Sequence, residues 1–99
     1  MDSTTELGIP NLDCMDVDDV AEFLERFPST TGHPGLRIAR ELVPDRRAGY
    51  VRIAMDLRNY GWNKLTAMRC RLAGKIDVAM MYEGICDRIY AGLPSDLRW

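Results

Sequence analysis

The sequence predicts an all-α domain, a compact bundle of about four helices in which a long third helix packs antiparallel to the fourth. Three observations carry that expectation. Residues 46–93 read as two consecutive amphipathic helices broken by one glycine, Gly74. Upstream, Asp16 and Pro28 bracket a short apolar stripe in the way that start and stop signals bracket a helix. With 46% hydrophobic and 28% charged residues, the 99-residue chain has the balance of one ordinary globular domain. No apolar run approaches the roughly 20 residues that cross a bilayer, so a membrane partner is not expected.

Residues 1–12, with Gly8, Pro10 and Asn11 and little periodicity, are expected to form a flexible N-terminal arm, leaving 13–99 as a single helical domain. The first helix starts at Asp16, a good N-cap. Asp19 stands where a capping-box acid would, and Met15 and Val20 have the spacing of a hydrophobic staple. Val17, Val20, Leu24 and Phe27 make its apolar stripe, and Pro28 ends it. The next eight residues carry Pro28, Gly32, Pro34 and Gly35 and read as a loop. His33 lies inside it with no orienting partner in the pattern, which suits a turn or cap residue rather than a general base.

A short second helix follows, with Leu36, Ala39 and Val43 on one side and Pro44 closing it. Asp45 is placed to cap the third helix. On that helix Tyr50, Val51, Ala54, Met55, Leu57, Gly61, Trp62, Leu65, Met68 and Leu72 fill an arc wider than half the circumference, which predicts a central helix covered on several sides. Gly61 costs about 1 kcal/mol relative to alanine in a helix interior, so a bend or a close neighbour is expected there. After Gly74, Ile76, Ala79, Tyr82, Cys86, Ile89, Tyr90 and Leu93 form the apolar face of the fourth helix, and Pro94 stops it. The expected core is Leu24, Phe27, Val51, Met55, Leu65, Leu72, Ile76, Ala79, Tyr82 and Ile89.

Small Ala67 on one helix, Gly74 at the turn, Ala79 five residues later and the Tyr82-Glu83 pair make residues 62–90 resemble a single tetratricopeptide-type helical hairpin. The pattern departs from that family at Trp62 and Leu65, one residue early relative to Gly74, at Cys86 where a small alanine is usual, and at Pro94, which comes late. No second copy is visible, although such repeats bury their faces against neighbours. The resemblance implies protein or peptide binding rather than catalysis.

The net charge of −2 conceals a segregation: residues 1–27 sum to −7 and residues 28–99 to +5. Asp16, Asp18, Asp19, Glu22 and Glu25 gather on the first helix. Arg47, Arg58 and Arg69 recur every eleven residues, almost three full turns, and so share a narrow stripe on the apolar side of the third helix. Guanidiniums there need carboxylates, phosphates or water. Pairing inside the chain with Glu22, Glu25, Glu83 or Asp87 is one reading, and gripping the acidic surface of another protein is a second. A third is contact with nucleic-acid phosphates, helped by Arg37, Arg40, Arg46, Arg52, Arg71 and Lys75 with Tyr50, Tyr60 and Trp62 as stacking groups. The isoelectric point near 5.3 weighs against the third.

Glu83 and Asp87, one turn apart with Asp77 nearby, hint at a cationic partner, and Asp56 would add a fourth carboxylate for magnesium. The doubled acids and the base of a metal-dependent hydrolase are missing. A zinc site would need Cys14, Cys70, Cys86 and His33 together, without the close ligand pairs such sites use. No cofactor is therefore expected and no enzyme. An odd number of widely spaced cysteines and the absence of a secretory signal in residues 1–6 point to a reduced, cytoplasmic setting.

The expected function is a small non-catalytic protein-interaction or regulatory module, an accessory or inhibitor of a larger complex. Its candidate contact residues are Arg47, Arg58 and Arg69 on one surface and Asp16, Asp18, Asp19, Glu22 and Glu25 on the other. The alternatives are nucleic-acid binding through the arginine stripe, or a phage or mobile-element inhibitor that offers the acidic first helix to a nucleic-acid enzyme. Six methionines, two tryptophans and a wide apolar arc also fit a homodimer.

Overall fold

The computed structural model describes residues 11–26 and 47–99, with side chains in the long helix from Arg52 onward. Every regular element among them is helical: α1 (Val17–Arg26), α2 (Arg47–Leu72) and α3 (Ile76–Gly92), with 3-10 turns at Leu12–Cys14 and Ser95–Leu97. The expected third and fourth helices are thus α2 and α3. The expected second helix at 36–43, with Phe27, His33 and the Asp45 cap, lies outside the described residues, as do residues 1–10 and the side chains of Tyr50 and Val51.

α1 begins as its caps dictate. The Asp16 carboxylate accepts a hydrogen bond from the Asp19 amide at 2.9 Å, satisfying a donor that the first turn leaves without a partner. Upstream, Asn11 performs the same service for the 3-10 turn, its side chain accepting from the Asp13 amide at 3.1 Å. α2 ends in a Schellman motif. Gly74 adopts φ +78, a left-handed value that any Cβ would strain, while the Lys75 amide donates to the Cys70 carbonyl at 2.8 Å and the Gly74 amide to the Arg71 carbonyl at 3.0 Å.

After the turn at Gly74, α3 packs against α2. Arg71 meets Glu83 near the turn, Tyr60 meets Cys86 further along, and Ala54 and Leu57 pack with Leu93 and Leu97 at the far end. Ala67 and Ala79, the small residues of the hairpin pattern, are both buried. α1 lies across α2 through Val20 and Leu24 against Leu65, with Val17 and Met68 in the same cluster. Gly61 explains itself here: a Cβ on it would stand 3.0 Å from Leu24 Cδ2, so the missing side chain admits α1 to close range, and α2 runs through the position without interruption. A third cluster joins Leu12, Tyr60 and Cys86, and Leu12 is fully buried.

The core is narrower than the apolar pattern predicts. Leu24, Leu65 and Ala79 are buried, but Met55 is 52% exposed, Leu72 79% and Ile76 44%, and Tyr82 and Ile89 are half-buried. The reason is coverage. α1 and α3 cover two sides of α2, so the part of its apolar arc that carries Met55 faces away from both. Leu72 and Ile76 flank the turn, beyond the start of α1 near Met68.

Candidate interaction surfaces

The acids of α1 follow from its amphipathicity. With Val20 and Leu24 turned inward, Asp18, Glu22 and Glu25 fall on the opposite side at about 100° per residue, and all three are exposed, as are Asp16 and Asp19. Glu22 pairs with Arg26 at 2.5 Å, one turn along the same helix. Among the described residues, Asp16, Asp18, Asp19 and Glu25 take part in no ion pair.

The arginine stripe divides. Arg47 lies in the first turn of α2, its side chain outside the described set. Arg58 is half-buried and engaged within the fold, and Arg69 is exposed. Two of the four carboxylates expected to take these groups have other partners: Glu22 holds Arg26, and Glu83 holds Arg71 in a two-pronged contact at 2.6 Å for each bond, while Glu25 and Asp87 take part in no ion pair among the described residues. Residue spacing missed Arg71 because the pair forms across the hairpin and not along one helix. Met55, Trp62 and Arg69 stand seven residues apart, two turns each, and form one exposed line with Trp62 at 60%.

Glu83 therefore finds its cation inside the chain, and the hydrogen bond from Arg71 pulls its carboxyl below the ordinary value. No group of three or more metal-ligating side chains converges among the described residues. Cys14, Cys70 and Cys86 are free thiols. Cys86 is buried, donates to the Tyr60 carbonyl at 3.6 Å, and is pushed up to about 11 chiefly by that burial, so it is a protonated thiol at neutral pH.

One polar cluster was not legible in the sequence. Asp13 accepts from the Tyr60 hydroxyl at 2.5 Å and from Trp99 Nε1 at 2.9 Å, with Lys64 Nζ 3.6 Å away. Trp99 packs edge-on against Tyr60 and Tyr90, at 4.8 and 5.0 Å between ring centres, and its carbonyl accepts from the Tyr90 hydroxyl. Arg98 anchors the same segment, donating to the carbonyls of Leu93 at 3.0 Å and Ala91 at 3.2 Å at the end of α3. Both ends of the described chain are so clasped over the α2–α3 hairpin. Burial alone would raise the Asp13 carboxyl, but the bonds from Tyr60 and Trp99 and the Lys64 charge bring it below the ordinary value.

α3 carries two apolar stripes where one was expected. Ala79, Cys86 and Leu93 form the seam against α2, each buried. Val78, Tyr82, Ile85 and Ile89 recur at intervals of four, three and four residues about a quarter-turn round, with Met81 beside them. Val78 and Met81 are exposed, and the other three are half-buried. Ile89 also lines a shallow groove of about 400 Å³ with Arg52, Ile53, Asp56, Arg88, Gly92 and Pro94. On α2, Arg52 and Gly61, and likewise Asp56 and Leu65, are nine residues apart, two and a half turns. Gly61 and Leu65 meet α1, so the groove opens on the flank away from it.

No helix among the described residues is long and apolar enough to cross a membrane. Compared with models of known protein families, with curated proteins and with solved structures, the chain matches none.

Proposed function

We propose that this chain is a small non-catalytic protein-interaction module of the accessory or regulatory kind, and that its contact surface for another protein is the line of Met55, Trp62 and Arg69 on α2, with Arg58 and Arg47 on the same stripe. Trp62 carries the reading. An indole 60% exposed in the middle of a helix, aligned with an exposed methionine and an exposed arginine, is the residue combination enriched at the centres of protein interfaces. The reading assumes the compact four-helix arrangement, with α2 and α3 antiparallel, that the sequence predicts. It also assumes a cytoplasmic setting, which the free thiols support.

The exposed acids of α1 support a second contact, in which Asp16, Asp18, Asp19, Glu22 and Glu25 meet a basic partner. In its sharpest form this is an inhibitor whose carboxylates occupy the place of nucleic-acid phosphates on an enzyme. Purified partners identified with the wild-type chain and then titrated against Trp62→Ala and Asp18→Lys/Glu22→Lys variants distinguish the two surfaces. Loss of binding with Trp62→Ala alone supports the α2 line, and loss with the charge variant alone supports α1. Direct binding of DNA or RNA fragments that falls steeply with salt overturns both readings and makes the arginines phosphate ligands.

A further inference from the structure

The second apolar stripe of α3 has a chemistry of its own, separate from the surfaces assigned above. Val78, Tyr82, Ile85, Ile89 and Met81 present a continuous apolar strip along a helix, on the flank of the hairpin opposite α1. One edge of the strip carries two charges, Asp77 and Arg88, both exposed. They are eleven residues apart, about three turns, and so lie on the same edge some 16 Å from each other along the axis. At that distance they cannot pair within one helix. Among the described residues Asp77 is in no ion pair, and Arg88 is in none either but donates to the Gly84 carbonyl of its own helix at 3.4 Å.

We propose that this strip binds a second copy of the chain, the two α3 helices packing antiparallel about a two-fold axis that passes between residues 83 and 84. The position of the charges selects that occupant. A two-fold axis across an antiparallel pair brings like edges together and reverses their order, so Asp77 of each copy comes within two residues, about 3 Å along the axis, of Arg88 of the other, a gap the long arginine side chain spans. The same operation sets Val78 against Ile89 and Tyr82 against Ile85, matching apolar to apolar along the strip. In a parallel two-fold pair the charged edges fall on opposite sides of the interface, so Asp77 and Arg88 would gain no partner in each other. The groove beside Ile89 admits the edge of the partner helix where Gly92 leaves no side chain. A 17-residue helix on its twin buries on the order of 1,000 Å² in total, the low end for a specific interface, so a weak dimer with a dissociation constant on the order of micromolar is expected.

Sedimentation equilibrium on the full chain across concentration tests this. The expected result is a reversible transition from 11.3 kDa to twice that mass. Asp77→Arg and Arg88→Asp each weaken it tenfold or more by setting like charges together, and the double variant Asp77→Arg/Arg88→Asp restores it. Circular dichroism of each variant establishes that the helices remain. A monomer at every concentration overturns the proposal, and so does a dimer indifferent to the charge reversals or one not restored by the double variant. If the chain is monomeric but captures an unrelated amphipathic helix on this strip, the second copy is the wrong occupant. Trp62→Ala lies on another helix face, so the α2 reading stands or falls separately.

Discussion

Tyr60 donates a 2.5 Å hydrogen bond to Asp13 across 47 positions of the chain, joining the middle of the longest helix to the short turn that precedes α1. Trp99 closes on the same carboxylate from the other end. Removing one partner should therefore loosen both terminal segments. Asp13→Asn or Tyr60→Phe is expected to cost about 1–2 kcal/mol, at the lower part of the range for charge-assisted bonds because the carboxylate is partly open to water. Urea denaturation of the two single variants and the double variant measures it, and a coupling energy near zero would show that the contact does not hold the fold.

The same carboxylate gives a dependence on acid. Its folded value lies below its unfolded one, so its contribution is complete above the ordinary carboxylate value of about 3.9 and is lost as pH falls through the folded value. The stability gap between wild type and Asp13→Asn should close between pH 5 and pH 2.

Alkali acts on the partner. Burial and the Asp13 charge raise the Tyr60 hydroxyl well above its ordinary value near 10, so its contribution is complete below that pH and is lost as pH rises towards the folded value. Phenolate absorbance should show one tyrosine that stays protonated past pH 11 until the helices melt, and Tyr60→Phe should abolish that late step.

Two glycines of similar helical setting should respond differently to alanine. A Cβ at Gly84 meets nothing within 4 Å, so Gly84→Ala should stabilise by about 0.5–1 kcal/mol through helix propensity and raise the melting temperature by a few degrees. At Gly61 the same gain is offset by contact with Leu24 at 3.0 Å and Phe23 at 3.5 Å, so Gly61→Ala should be no more stable than wild type, and Gly61→Leu should undock α1. Thermal melts of the three variants decide the order.

Thiol labelling should be selective. Cys14 is exposed and should react at neutral pH, whereas Cys86 is buried, protonated up to about 11 and bonded to the Tyr60 carbonyl, so it should label only on unfolding. Peptide mass mapping after a brief pulse of maleimide gives the order directly. Rapid labelling of Cys86 in the native chain would mean that the α2–α3 seam opens.

The candidate surfaces were partly visible in advance. The outward acids of α1 follow from Val20 and Leu24 alone, since a stripe that is buried fixes the opposite side of a short helix. The arginine stripe was legible as spacing, but its fate was not, because Arg26 and Arg71 are also within reach of the acids and residue periodicity does not rank competing partners. The double stripe of α3 was present as Val78, Tyr82, Ile85 and Ile89. Tyr82 and Ile89 were counted with the seam of Ala79, Cys86 and Leu93, from which they lie only a quarter-turn away, while Val78 and Ile85 fell outside the expected face.

Local chemistry in the sequence determined where the described helices begin, turn and stop: the Asp16 carboxylate that caps α1, the left-handed Gly74 between α2 and α3, and Pro94 after α3 each act within a few residues of backbone. Only the tertiary structure decided which apolar faces are covered. Burial depends on how many neighbours a helix has and from which side they arrive, and α1 and α3 reach two sides of α2 while leaving Met55 and Trp62 outward. The clasp of Asp13, Tyr60 and Trp99 belongs wholly to that level, because its partners are distant in the chain and become neighbours only once the hairpin has packed.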